Sequence, residues 1–179
     1  MVASQIELHN DLISRCKQGD RAAQQEIYKL YALGMYNTAV RILNNREDAR
    51  DIVQDAFVDM YLKLDSFRGE STFGAWFKRI VVNKSLNHLK RNQTIDLNEE
   101  TLNIEAEEYE EPENYSVQDV KSAMSSLPKG YKLVFDLYMF EGMSHKEIAT
   151  SMDISEATSK SQLSRAKQKV REFLNQKMQ

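Results

Sequence analysis

Residues that break or crosslink a chain are scarce here. The 179 residues include 2 prolines, 6 glycines and 1 cysteine, Cys16. So few breakers disfavour an all-β sandwich, which needs many tight turns, and favour helices. A single cysteine excludes an internal disulfide framework and any cysteine-based zinc site, and it suits a reducing cytoplasm. The 3 histidines, His9, His88 and His145, are not clustered in sequence. No Gly-rich phosphate loop and no His-Glu-x-x-His occurs, so no enzyme chemistry, metal or cofactor is expected. The longest apolar stretches, such as Leu137 to Phe140, fall far short of the ~20 residues a spanning helix needs. The opening MVASQIELHND has acids and no apolar core, so no signal peptide and no membrane insertion are expected. Internal repeats and low-complexity tracts are missing too. What remains is ordinary globular composition, 41% apolar and 28% charged, with room for one domain or two small ones.

The net charge of −3 conceals an asymmetry. Residues 1–95 carry 14 Lys/Arg against 11 Asp/Glu, and residues 120–179 carry 10 against 6. Residues 96–119 carry 10 Asp/Glu and no Lys/Arg. Two mildly basic segments are thus joined by an intensely acidic one, so overall acidity does not argue against a nucleic-acid partner. Like charges repel, few apolar residues can pack and Pro112 interrupts a helix, so residues 95–119 read as a flexible linker. Its charge also suggests that it shields the two basic segments in the free protein.

Residues 1–94 are taken as the first domain, and residues 8–92 within it read as several helices. From Ala22 to Leu43, Ile27, Leu30, Tyr31, Met35, Ala39 and Ile42 recur at helical spacing. Asn44-Asn45 is a stop, and Asp48 falls in the next helix's first turn. That next helix has one apolar stripe, Ile52, Val53, Ala56, Phe57, Met60, Tyr61 and Leu64, and a second of Asp48, Asp51, Asp55 and Asp59. An acidic stripe is either a solvated face or a docking face for a basic partner. In DSFRGESTFGAWFKR (65–79), aromatics sit beside arginine. That pairing suits an unpaired strand, whose bases stack on flat faces and whose phosphates need cations. Phe73, Trp76 and Phe77 also suit a core, whereas Phe67-Arg68-Gly69 reads as a loop. Ser71 or Thr72 can cap the following helix, on which Arg79, Asn83, Asn87 and Lys90 share one polar face.

Residues 120–179 read as a second helical unit. Ser144 and Glu147 form a capping box, Asp153 suits a left-handed turn and Ser155 can cap the last helix. This is helix-turn-helix spacing, with Lys160, Ser161, Ser164, Arg165 and Lys167 taken as the outer face of the second helix. A plain helical bundle imitates the pattern. A dimeric repressor or activator is a rival reading, but no heptad seam for a dimer is evident.

The motifs DIVQDAF (51–57), FRGESTFGAWFKRIVVN (67–83), LPKGYKLVF (127–135), EGMSHKEIA (141–149) and ISEATSKSQLSRAK (154–167) occur in order. Together they resemble a bacterial RNA polymerase sigma factor of the two-domain extracytoplasmic-function (ECF) group. The SKSQLSRA run is similar to the variant of Bacteroidetes members. The resemblance implies an all-α, two-domain fold in which the C-terminal domain is a helix-turn-helix. It implies a cytoplasmic transcription initiation factor, monomeric when free, that binds core RNA polymerase and promoter DNA, both duplex and single-stranded. An anti-sigma factor is a further implied partner.

By the same resemblance, Phe67, Arg68, Gly69, Glu70 and Ser71 would hold a flipped base of the minus-ten element, with Arg79, Asn83 and Lys84 beside them. Asp51, Gln54 and Asp55 would face the β′ clamp helices. Thr158, Lys160, Ser161, Ser164 and Arg165 would enter the minus-thirty-five element while that domain rests on the β flap. The linker would thread toward the polymerase's RNA path. This chain departs from the family pattern at Asn87, Asp153, Ser159 and Gln162. Ser159 in place of valine would loosen the recognition helix. The two elements imply a separation of ~85 Å, within reach of residues 95–119 and the domains' own widths.

Overall fold

A computed structural model of the chain describes residues 2–92 and 115–177, with side chains from His9 onward in the first of these stretches. The described residues form α-helices, turns and loops, with no strand among them. They divide into two compact units, the boundary falling after Leu89 in the last turn of the first unit's final helix. Residues 93–114, which hold most of the segment expected to be a linker, lie outside the described residues.

The first unit contains α1 (Val2–Lys17), α2 (Arg21–Leu43), α3 (Arg46–Leu62) and α4 (Phe73–Arg91), with a 3-10 turn at Leu64–Ser66. Local chemistry sets the ends of these helices. The Asp20 carboxylate accepts from the Ala22 and Ala23 amides and caps α2. Arg15 holds that carboxylate from α1 at 2.7 Å and, by its hydrogen bond, keeps the Asp20 pKa below the usual carboxylate range. Asn44 ends α2 at φ 51°, a left-handed conformation that asparagine tolerates, and the Asn45 amide oxygen caps α3. Phe77 is fully buried at the centre of an aromatic cluster, 4.7 Å from Phe57 and 6.2 Å from both Tyr31 and Phe73. Removing such a ring costs ~3–5 kcal/mol, so this cluster does much to hold α4 against α2 and α3. Burial raises the pKa of Cys16, as befits a packing residue.

The second unit contains α5 (Val117–Ser125), α6 (Lys129–Met139), α7 (His145–Met152) and α8 (Glu156–Lys177). Helix α8 packs against the other three. Helix α5 begins inside the segment expected to be linker: Ser116 and Asp119 cap each other, and Tyr115 donates to Asn175 at 2.9 Å. Lys177 also binds Asp119, and its hydrogen bond pulls the Asp119 pKa down to about 2. These partners lie on α8, beyond the reach of any local sequence pattern. Ser144 and Glu147 form the expected capping box, and Asp153 takes φ 59° at the turn into α8.

Candidate nucleic-acid interface

The loop between the 3-10 turn and α4 turns at Gly69, whose φ of 76° favours glycine. Thr72, not Ser71, caps α4, accepting from the Ala75 amide at 3.3 Å. Phe67 is half-buried, with its ring 5.3 Å from Trp76 and 5.5 Å from Phe73. Arg68, Gly69, Glu70 and Ser71 are exposed. Beneath the loop lies a cleft of about 720 Å³, lined by Phe67, Gly69, Glu70, Ser71 and Thr72 on one side. This size falls within the ~300–1,000 Å³ of ordinary ligand clefts. Arg68 is outside the lining. Residues of α1 and Tyr31 of α2 line the cleft as well, which the sequence reading missed because no local pattern connects them to the loop.

Along α4, Arg79, Asn83, Asn87 and Lys90 are all exposed. Their spacing of three and four residues puts them on one face. Lys84 departs from the expectation. Its ammonium lies 3.2 Å from the Asp59 carboxylate of α3, and its side chain is only 25% exposed.

The acidic stripe of α3 is divided in its roles. Asp48 lies 3.4 Å from His88, and Asp59 is held by Lys84 and Lys63. Desolvation acts to raise the Asp59 pKa, but the two lysines outweigh it and keep the carboxyl below its ordinary value. Asp51, Gln54 and Asp55 remain exposed. Val58 and Leu62 continue the same face and are exposed as well, 58% and 78% respectively. This is an acidic surface with an apolar end.

The helix-turn-helix is formed by α7 and α8, and it redistributes the expected contact residues. Lys160 is exposed, and Ser161 and Ser164 are half-buried. Thr158 is buried, its amide capped by Ser155 at 2.9 Å. Arg165 turns inward, donating from Nη1 to the Tyr131 hydroxyl of α6 at 3.1 Å. Ser159 does not loosen the helix: it is fully buried and bonds His145 Nδ1 at 2.9 Å. His145 is an internal tie, its ring stacked 4.7 Å from Tyr138. Burial, then the Lys160 charge, lowers its pKa. Gln162 is likewise buried.

A helical domain with an aromatic-floored cleft, together with a separate helix-turn-helix domain, defines a two-module DNA-binding protein. Comparison with known proteins narrows that class. Residues 27–95 match the Sigma-70 region 2 family and residues 118–170 match Sigma-70, region 4. The chain is 32% identical to the ECF RNA polymerase sigma-E factor of Haemophilus influenzae, over 94% of each chain. It is 29% identical to the RNA polymerase sigma-H factor of Pseudomonas aeruginosa, over 92% of each. Its fold is similar to that of the sigma factor RpoE of Bartonella quintana, solved with the anti-sigma factor NepR (TM-score 0.54, 24% identity, 84% of this chain and 96% of that one).

The chain belongs to the ECF RNA polymerase sigma factor family. It is a promoter-recognising transcription initiation factor. No helix among the described residues is long and apolar enough to cross a membrane.

Proposed function

We propose that the two modules divide promoter recognition between an unpaired strand and intact duplex. In the first, spanning residues 1–94, Phe67, Gly69, Glu70 and Ser71 hold a flipped base of the minus-ten element, with Arg68 at the loop surface for a phosphate. Arg79 and Asn83, continued by Asn87 and Lys90, track the adjoining strand. Asp51, Gln54 and Asp55 meet the β′ clamp helices. In the second, residues 120–179 with the three preceding helical residues, Lys160, Ser161 and Ser164 reach the minus-thirty-five element, and the domain rests on the β flap. Thr158 and Arg165 support that helix from inside. Residues 95–114 bridge the modules along the RNA path.

The observation that carries this reading is the cleft under the 67–72 loop, whose aromatic floor and polar rim suit an unstacked base. A fitted pocket offsets the few kcal/mol lost on unstacking, so binding alone can open the duplex. The exposed lysines Lys160 and Lys167 on α8 support the duplex half. Such a protein works in the cytoplasm, where polymerase and chromosome are. An anti-sigma factor fits the reading as a regulator, since the RpoE fold relative was solved with one. The SKSQLSRA run in α8 supports a place near the Bacteroidetes branch.

Run-off transcription with core polymerase on promoters selected from a random library tests the proposal. The protein should give start sites that core alone does not. Reversing charge with Asp51→Lys and Asp55→Lys should weaken core binding roughly tenfold, or ~1.4 kcal/mol. Absence of specific initiation above core alone overturns the reading.

A further inference from the structure

The cleft beneath the 67–72 loop has two walls, and only one belongs to the loop. The other comes from α1, through His9, Asn10 and Ile13, and from Tyr31 of α2. We infer that Asn10 of α1 sets the base preference of this cleft, reading the edge of the unpaired base from the side opposite Glu70. This inference rests on the proposed reading of the cleft as the seat of a flipped base.

The α1 wall is held in place. His9 Nε2 and the Tyr31 hydroxyl lie 2.5 Å apart. The His9 ring meets Tyr31 edge-on at 5.6 Å and Phe73 at 6.1 Å. Tyr31 in turn sits 5.3 Å from Phe73 and 6.2 Å from Phe77, so the wall is continuous with the aromatic cluster at the centre of the unit. Gly74 leaves room for that arrangement, since a β-carbon there would lie 3.0 Å from the Tyr31 ring. A wall tied at His9 by a hydrogen bond and two ring contacts gives the next residue, Asn10, a defined position at the cleft margin.

The chemistry of the two walls differs. Around a base, the half-buried rings of Phe67 and Tyr31 offer flat apolar surface that any base satisfies. Selectivity needs groups that discriminate donors from acceptors along a base edge. Glu70 supplies an acceptor, and Ser71 and Thr72 supply hydroxyls that serve in either role. Asn10 is exposed and carries an amide. An amide presents a donor and an acceptor side by side, the pattern that pairs in two-point fashion with a base edge. Ile13, the third α1 residue in the lining, is apolar and buried, so it adds surface without adding choice. The ligand is therefore a nucleobase held between apolar faces and sorted by the Asn10 amide.

The test uses the full chain bound to core polymerase and fork-junction DNA whose minus-ten element is single-stranded on the non-template strand. Each position of that element is scanned with all four bases by competition binding, for wild type, Asn10→Ala and Asn10→Asp. Asn10 is exposed, so both variants should fold, and circular dichroism checks this. The wild type should prefer one base at one position by about fivefold or more, the discrimination of a two-point contact. Asn10→Ala should abolish that preference and leave the other positions unchanged. Asn10→Asp, which keeps the acceptor and loses the donor, should shift the preferred base. If the preference survives Asn10→Ala intact, α1 does not read the base and the inference fails, while the cleft reading stands. If the wild type shows no preference at any position, the reading of the cleft fails and the inference with it.

Discussion

The family resemblance assigns Lys84 to DNA, yet the structure pairs it with Asp59 across the α3–α4 interface at 3.2 Å. The two roles separate on a measurable scale. Two unit charges at that distance attract by about 1.3 kcal/mol at water-like screening and by about 5 kcal/mol at an effective dielectric of 20. Desolvation and the ordering of both side chains offset most of this, leaving about 0.5–1 kcal/mol for a partly shielded pair. Lys84→Ala should therefore destabilise the first domain by about that much. In a double-mutant cycle with Asp59→Asn, read by urea denaturation, most of that loss should appear as coupling. Its effect on DNA should be small. Each phosphate contact to a single strand contributes ~0.7 to the slope of log affinity against log salt. Arg79→Ala should lower the holoenzyme's slope on fork-junction DNA by about that amount, and Lys84→Ala by less than about half of it. The reasoning is refuted if Lys84→Ala flattens the slope as much as Arg79→Ala and couples to Asp59→Asn by less than ~0.2 kcal/mol.

Two further expectations concern the second domain and the linker. His145 has a folded pKa below its ordinary 6.5, with Lys160, Glu156 and Lys167 of α8 as the charges acting on it and Tyr138 of α6 stacked on its ring. A base with a depressed folded pKa takes up its proton more readily when unfolded, so its contribution is intact above pH ~6.5 and is lost as pH falls through that value toward the folded one. Protection factors in α7 and α8, which remove the intrinsic pH dependence of hydrogen exchange, should fall over this window in the wild type and much less in His145→Gln; an equal fall in both would discount the His145 tie. Exchanging Glu105, Glu107, Glu108, Glu110 and Glu111 for glutamine should strengthen DNA binding by the free protein several-fold at ~10 mM salt, where the Debye length is ~30 Å. Unchanged affinity in fluorescence anisotropy at that salt would count against electrostatic shielding by the linker.

The helix ends were legible in sequence because their determinants are local. Asn44 and Asn45, Ser144 with Glu147, and Asp153 act within four residues of where they stand. The apolar stripe of α3 was legible for the same reason: Val53, Ala56, Phe57 and Met60 are buried as their spacing requires. The fate of polar side chains was not legible, because it depends on partners far along the chain. His145 meets Ser159 14 residues away, His9 meets Tyr31 22 residues away, and Arg165 meets Tyr131 34 residues away. The family resemblance placed Thr158 on the DNA side, polarity and resemblance together placed Arg165 there, and no local pattern gave His9 a role.

Helix α8 shows how that error arises and how it corrects itself. Thr158, Ser159, Gln162, Leu163 and Ala166 are its buried stripe over these turns. They fall at steps of one, three, one and three, the spacing of a single helix face, although three of the five are polar. Hydroxyls bonded to His145 and Ser155, rather than methyl groups, fill part of that face. A polar run in a recognition helix therefore does not mark its contact surface; the face opposite the buried stripe does. By that criterion the surface available to a major groove starts at Glu156 and Ala157 and continues through Lys160, Ser161, Ser164, Lys167 and Gln168. Promoter preference at the minus-thirty-five element should accordingly change on substitution at Ala157, a residue whose type carries no hint of a role, and not at Gln162, whose type does.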